Sequence, residues 1–254
     1  FHHARLLRGV PGVAFHGIYE ANAERAGVVS RELEIQAHPT LDALLADVDA
    51  VSIVVPTPLH HQVAMAALAR GKHLLIEKPI TVTLAEADEL LDLADRQGVV
   101  VQIGHIERFN RAVRAALPYV DHPLFIDSDR LAPFNPRGSD VAVVLDLMIH
   151  DIDIVQSIVG RPIESIDAVG TPVFSGAVDI ANARLRFEGG CVANVTASRV
   201  SLKMERKLRV FRDDAYLSID LQQRILTVIR KQATPPAPGG LPVAIDERSF
   251  EQGD

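Results

Sequence analysis

The sequence predicts an α/β chain in two parts: a Rossmann-like parallel sheet, then an α+β domain on an open, mainly antiparallel sheet. Three observations carry this. Over the first ~120 residues, short apolar runs alternate with helical patterns, which is the signature of βαβ units. Beyond residue 121, longer strand patterns follow one another across short turns such as Glu188–Gly189–Gly190 and Asp213–Asp214. Such turns imply antiparallel pairing. Finally, 254 residues with 48% hydrophobic and 23% charged content suffice for one large or two moderate globular domains. The expected division is 1–121 and 122–254.

Taken in order, residues 13–19 read as a strand, 21–30 as a helix and 33–35 as a short strand. Pro39, Thr40 and Leu41 open a helix reaching about Ala46. Residues 51–55 are rich in β-branched residues, as a buried strand requires. Pro56–Thr57–Pro58 ends it, because proline has no amide to give the sheet. An alanine-rich helix over 59–70 closes at Gly71, and 72–76 is the next strand. Thr83 with Glu86 forms a capping box for a helix to Gln97, which Gly98 ends. A strand over 99–103 and a helix over 106–117 follow. In the second half, 140–159 reads as one helix closed by Gly160. Strands are expected at 165–169, 177–187, 191–201, 207–211, 215–221 and 224–230, then a Pro/Gly loop at 233–242. Residues 1–8 read as the middle of a helix, and 248–254 stop without a closing element. The chain is therefore expected to be part of a longer one.

Several classes are excluded. Net charge is −7 with no long basic run, so no nucleic-acid footprint is indicated. The single cysteine, Cys191, allows neither an internal disulfide nor a Cys-rich zinc site. No apolar run is long enough to cross a bilayer and no signal peptide opens the chain, so the expectation is cytoplasmic, without membrane partners.

The candidate chemistry lies at strand ends and in one helix. Glu20 ends the first predicted strand; its carboxylate can accept both hydroxyls of an adenosine ribose and would repel a 2′-phosphate, favouring NAD over NADP. Pro56, Thr57 and His60 follow a buried strand at the edge where open α/β sheets bind ligands; the plainer alternative is a helix cap with surface histidines. Glu77–Lys78–Pro79 ends another strand. A lysine there can stabilise charge developing on a substrate oxygen, and Pro79 allows a cis peptide; an ordinary strand-ending salt bridge is the alternative. Asp146 and His150 stand four apart inside an apolar helix, placing carboxylate and imidazole on one face, as a general base requires. A buried, satisfied polar pair is the alternative, and no third residue nearby completes a metal site. His105, Arg108 and Asn110 follow the last parallel strand, where Arg108 and Asn110 can hold phosphate or sugar hydroxyls; Arg130, Arg137, Arg199 and Arg206 recur later.

In order and separation, Glu77–Lys78–Pro79, Gly104–His105 with Arg108–Phe109, and Asp146 with His150, Asp151 and Asp153 together resemble the Gfo/Idh/MocA oxidoreductase family. The resemblance implies a catalytic group of Lys78, Asp146 and His150. It implies NAD held by residues 1–121, with Glu20, Pro56, Thr57, His60, Glu77 and Lys78 as contacts. Lys78, His105, Arg108, Asn110, Arg130 and His150 are then the substrate contacts. Gly104 to Asn110, Asp179 to Arg184 and Thr196 to Ser201 look like a branch that oxidises C3 of a UDP-N-acetyl sugar. Enzymes of the same family acting on inositol, a free sugar or a dihydrodiol, and a non-catalytic NAD-binding regulator, are the alternatives. The family's glycine-rich first turn and its C-terminal closure are not in this sequence. A homodimer or homotetramer through the antiparallel sheet is expected, with apolar residues of the strand 192–197 offered to the partner.

Overall fold

The computed structural model describes residues 1–136, 141–232 and 242–251. The chain divides into two compact units, Phe1–Gly104 and His105–Asp254.

The first unit has three parallel strands, β1 (Ala50–Ile53), β2 (His73–Ile76) and β3 (Val101–Ile103), in the order β1-β2-β3. Residue pairs such as Ile53 with Ile76 and Ile76 with Ile103 fix the register. Its helices are α1 (His2–Leu7), α2 (Ala23–Leu33), α3 (Leu41–Asp47), α4 (His60–Leu68) and α5 (Leu84–Gln97). Leu45, Ile53, Leu68, Leu74, Ile76 and Leu90 form its main core. The Thr83–Glu86 capping box is formed, and Gly98 closes α5 in the left-handed region at φ 65°.

Two expected strands are not formed. Residues 13–19 contribute a single parallel bridge, Ile18 to Ala37. Gly17, at φ 126°, lets the chain press onto its neighbour, where a Cβ would come 2.4 Å from the Gln36 carbonyl oxygen. Residues 33–35 do not extend, because Leu33 completes the buried stripe of α2 with Val29, and Glu34 turns left-handed at φ 52°.

The second unit is an eight-stranded sheet in the order β11-β10-β9-β8-β4-β7-β6-β5. These are β4 (Phe125–Leu131), β5 (Ile163–Thr171), β6 (Ile180–Phe187), β7 (Val192–Ser198), β8 (Glu205–Phe211), β9 (Ala215–Asp220), β10 (Ile225–Lys231) and β11 (Val243–Ser249). Every pairing is antiparallel except β4 with β7. The sequence pattern gives no strand for β4 or β11. β4 buries Ile126, Ser128 and Arg130, so its inward face is not an apolar alternation. β11 is an edge strand of mostly exposed residues, including the charged Asp246, Glu247 and Arg248.

Helix α6 (Arg111–Ala116) packs on β9 and β10, placing it with the second unit although the expected boundary was residue 121. The expected helix over 106–117 is interrupted: a 3-10 turn (Ile106–Phe109) precedes Asn110, which caps α6. The expected helix over 140–159 begins outside the described residues and is not uniform. A π-turn (Val144–Met148) precedes α7 (Ile149–Val159), which Gly160 closes. A π-turn carries one extra residue, so Asp146 and His150 are not related by a regular α-helical spacing. The loop expected over 233–242 falls almost wholly outside the described residues.

Phe187, Ile126, Met148, Ile154, Leu208 and Leu217 are among the largest buried side chains between these helices and one sheet face. This corrects the expected oligomer surface: Ala193, Val195 and Ala197 of β7 face the helices, and Asn194 and Thr196 alternate with them on the other side.

Asp179, fully buried just before β6, organises the loop after β5. It accepts the amides of Val173, Phe174 and Ser175 at 2.7–2.8 Å, the Ser175 hydroxyl and Arg199 Nε. Burial alone would raise its pKa; the bonds from Ser175, Val173 and Arg199 outweigh burial and hold the carboxyl far below the usual carboxylate range. A carboxyl depressed on folding stabilises fully above its unfolded value of about 3.9, and that stabilisation is lost as pH falls toward the folded value. The stability gap between the native protein and Asp179→Asn, from urea unfolding, is therefore expected to stay constant from about pH 8 to 5 and narrow as pH falls through about 4. A gap independent of pH contradicts this.

Candidate active site

The carboxyl ends of the three parallel strands carry the first group. Pro56 and Thr57 follow β1 and enter a 3-10 turn (Thr57–Leu59). Glu77 follows β2, its amide bonding to Ile53 carbonyl at 3.0 Å, and Gly104 follows β3, its amide bonding to Ile76 carbonyl at 2.8 Å. Lys78 stands next to Glu77, and its peptide to Pro79 is cis. Glu20 is exposed and accepts the Asn22 amide at 3.0 Å.

The strap bearing Lys78 is held on both sides. Glu77 Oε1 lies 3.0 Å from His3 Nε2, and His3 Nδ1 lies 2.7 Å from Ser52 Oγ. Glu77 Oε2 accepts the Lys78 amide at 3.2 Å. Gly104 backs onto the same carboxylate, where a Cβ would meet Glu77 at 3.1 Å. On the other side His60 is buried, with Nδ1 2.8 Å from the Pro79 carbonyl oxygen and Nε2 2.9 Å from that of Val55. Glu77 and His60, expected as cofactor contacts, also bond to the backbone and side chains around Lys78. His61 reaches the surface and pairs with Glu89.

Asp146 sits in the π-turn and His150 at the start of α7, both in the second unit. Their flank is a buried charge network. Arg130 Nε donates to Asp151 Oδ2 at 2.5 Å, Nη2 to Asp151 Oδ1 at 3.1 Å, and Nη1 to Glu107 Oε1 at 3.2 Å. Burial by itself would lower the Arg130 pKa; the Asp151 and Glu107 carboxylates outweigh it and hold the guanidinium above its ordinary value. Arg108 grips Asp153 with two bonds of 2.6 Å. His105 Nδ1 lies 3.8 Å from that carboxylate. Asn110 caps α6 through Ala112 and donates to the Leu221 carbonyl.

Arg108, Asn110 and Arg130, expected to hold substrate, therefore bond within the protein, and Arg130 is only 2% exposed. His3, Glu107, Asp151 and Asp153 carried no assigned role in the sequence. For Asp151 and Asp153 a signal existed: two carboxylates inside an apolar helical run demand partners. His3 and Glu107 left none, because their partners are distant along the chain. Among the described residues no group of His, Cys, Asp and Glu could hold a metal ion.

A parallel α/β unit with these strand-end groups, followed by a sheet unit bearing a carboxylate and an imidazole, is the layout of a nicotinamide-dependent oxidoreductase. Residues 1–105 match the family model "Oxidoreductase family, NAD-binding Rossmann fold", and residues 103–218 match "GFO/IDH/MocA C-terminal domain". The chain is 40% identical over 251 residues to the UDP-N-acetylglucosamine 3-dehydrogenase of Acidithiobacillus ferrooxidans, covering 96% of this chain and 78% of that relative. It is 29% identical over 219 residues to scyllo-inositol 2-dehydrogenase (NAD(+)) of Bacillus subtilis, covering 79% of this chain and 64% of that relative. A solved structure of the Acidithiobacillus ferrooxidans enzyme superposes with a TM-score of 0.86 at 39% identity, over 94% of this chain and 76% of that one. The chain belongs to the GFO/IDH/MocA family of NAD-binding oxidoreductases.

Replacing His60 by Leu removes the ring nitrogens that face the Val55 and Pro79 carbonyls. A loss of about 1–3 kcal/mol in urea-unfolding stability is expected for the buried acceptor left unmet. A variant as stable as the native protein would show that His60 does not hold the strap.

Proposed function

We propose that this protein is an NAD-dependent dehydrogenase that oxidises the C3 hydroxyl of UDP-N-acetylglucosamine. The observation that carries this reading is the 40% identity, spread over 96% of the chain, to a relative of that activity. Lys78, Asp146 and His150 are the residues assigned to the chemistry.

In this reading His150 removes the proton of the sugar hydroxyl, and Asp146 orients the imidazole and favours its charged form. The Lys78 ammonium stabilises the oxygen as negative charge gathers on it. Bound NAD supplies the hydride acceptor, and that reactivity belongs to the cofactor. The donor set of the first unit fits it: Glu20 presents an exposed carboxylate suited to two ribose hydroxyls and hostile to a 2′-phosphate, and Pro56 and Thr57 border the ligand edge of the sheet. His105, beside Asp153, and His150 are substrate contacts in this reading. Arg108, Asn110 and Arg130 belong to the same set and also bond within the protein.

Assembly of like subunits through the open sheet face belongs to the same reading. That face carries Phe125, Phe211 and Tyr216 in contact beside Arg209, which pairs with Asp127 and Asp129. Cytoplasmic residence also belongs to it; no helix among the described residues is long and apolar enough to cross a membrane.

The test is NADH formation by the full-length protein with UDP-N-acetylglucosamine, and in parallel with myo- and scyllo-inositol. UDP-N-acetylglucosamine is expected to be the productive substrate; turnover of the inositols alone assigns the protein to the other branch of its relatives. Lys78→Ala and His150→Ala are each expected to lower kcat by about 10²–10⁴-fold with little change in NAD affinity by calorimetry. Undiminished turnover in both variants defeats the role assignment.

A further inference from the structure

The Arg199–Asp179 pair lies outside the residues assigned to substrate or cofactor, yet its contacts lead to the π-turn that carries Asp146. We propose that Arg199 and Asp179 are positioning residues that anchor this turn and thereby set the geometry of Asp146 and His150. This rests on the catalytic reading of those two residues given above.

The chain of contacts is continuous. Arg199 follows the last residue of β7, and Asp179 precedes the first residue of β6, where Ile180 pairs with Ser198. The two residues are joined twice, by Arg199 Nε to Asp179 Oδ1 at 2.7 Å and by the Arg199 amide to the Asp179 carbonyl at 3.0 Å. The same guanidinium donates through Nη1 to the Val141 carbonyl at 2.6 Å, and through Nη2 to Ser175 Oγ and the Val178 carbonyl. Val143, fully buried, donates its amide to Val178 at 2.8 Å. Between those anchors, the Ala142 carbonyl accepts the amides of Leu145 and Asp146 at 3.0 and 3.1 Å. The segment 141–143 is thus fastened at both ends to the β6–β7 pair, and the residue bonded to its centre is Asp146.

The residue type matters. A planar fork can serve a carboxylate and two separate carbonyls at once, whereas an ammonium is a compact charge that cannot span them. The π-turn supplies the reason for an anchor. It is a rare geometry with an extra residue; released at its start, it can relax to α-helical pairing and rotate Asp146 away from its place. Asp179 keeps Arg199 in the required orientation, and it is itself held by three amides.

The conservative variant Arg199→Lys retains the charge and removes the fork. Expected are a fall in kcat of about 10–100-fold, a KM for the sugar nucleotide and an NAD affinity within about threefold of native, and faster amide exchange confined to 141–150. In the Asp146→Asn background the same change is expected to lower kcat further by less than about threefold, because two residues acting through one step are not additive. A full multiplicative loss in that background shows a general structural role and overturns the proposal, as does unchanged kcat or unchanged exchange over 141–150. Should Arg199→Lys not fold, Asp179→Asn is read by the same three measurements. Native turnover in Asp146→Asn alone refutes the catalytic reading, whereas the exchange measurement tests the anchor independently of it.

Discussion

The ion network of Arg130 with Asp151 and Glu107 is the constraint on which the second unit depends. It ties the central strand β4 to α7 and to the turn after His105. Arg130 and Asp151 are removed from water and Glu107 is partly so, and each of the two buried groups is tolerable only with its partner present. Removing one partner of such a pair typically costs about 3–5 kcal/mol, yet replacing the whole pair by apolar residues is often neutral. The network is therefore poorly explained as a source of stability. What it supplies is a set of fixed contacts on α7: Asp151 is bonded to Arg130 and Asp153 to Arg108.

The first unit obeys the same logic, with one carboxylate, Glu77, among its contacts. The strap from Glu77 to Pro79 follows β2, and each of its groups is met by an element distant in sequence: His3 from α1, Gly104 after β3, and His60 at the start of α4. Lys78 is thus carried on a backbone fixed from both sides.

Local signals in the sequence were legible wherever they acted alone. The Thr83–Glu86 box, Gly98 and Gly160 each formed as expected, and the buried strand expected over 51–55 is the shorter, partly exposed β1, with Val54 beyond its end and exposed. The strand at 13–19 and β4 misled for opposite reasons. The first has the strand pattern but only one bridge to a neighbour; the second lacks the pattern because it buries Ser128 and Arg130. Lys78, Asp146 and His150, the residues proposed for the chemistry, draw attention in the sequence as polar groups at a strand end or amid apolar ones. Their supports do not, because Glu107 with Arg130 and Asp179 with Arg199 are pairings across strands and turns that no local spacing encodes. The π-turn at Val144 is invisible for the same reason: its cause lies in anchors outside it.

The most direct test of this account separates orientation from stability. In the full-length protein, Arg130→Met is combined with Asp151→Leu and Glu107→Gln, filling the same space without charge. Urea unfolding and turnover are then measured side by side. Unfolding stability is expected within about 1 kcal/mol of native or higher, with kcat reduced at least about tenfold. A variant that is equally stable and turns over at the native rate would show that these charges do not hold α7 for the proposed chemistry.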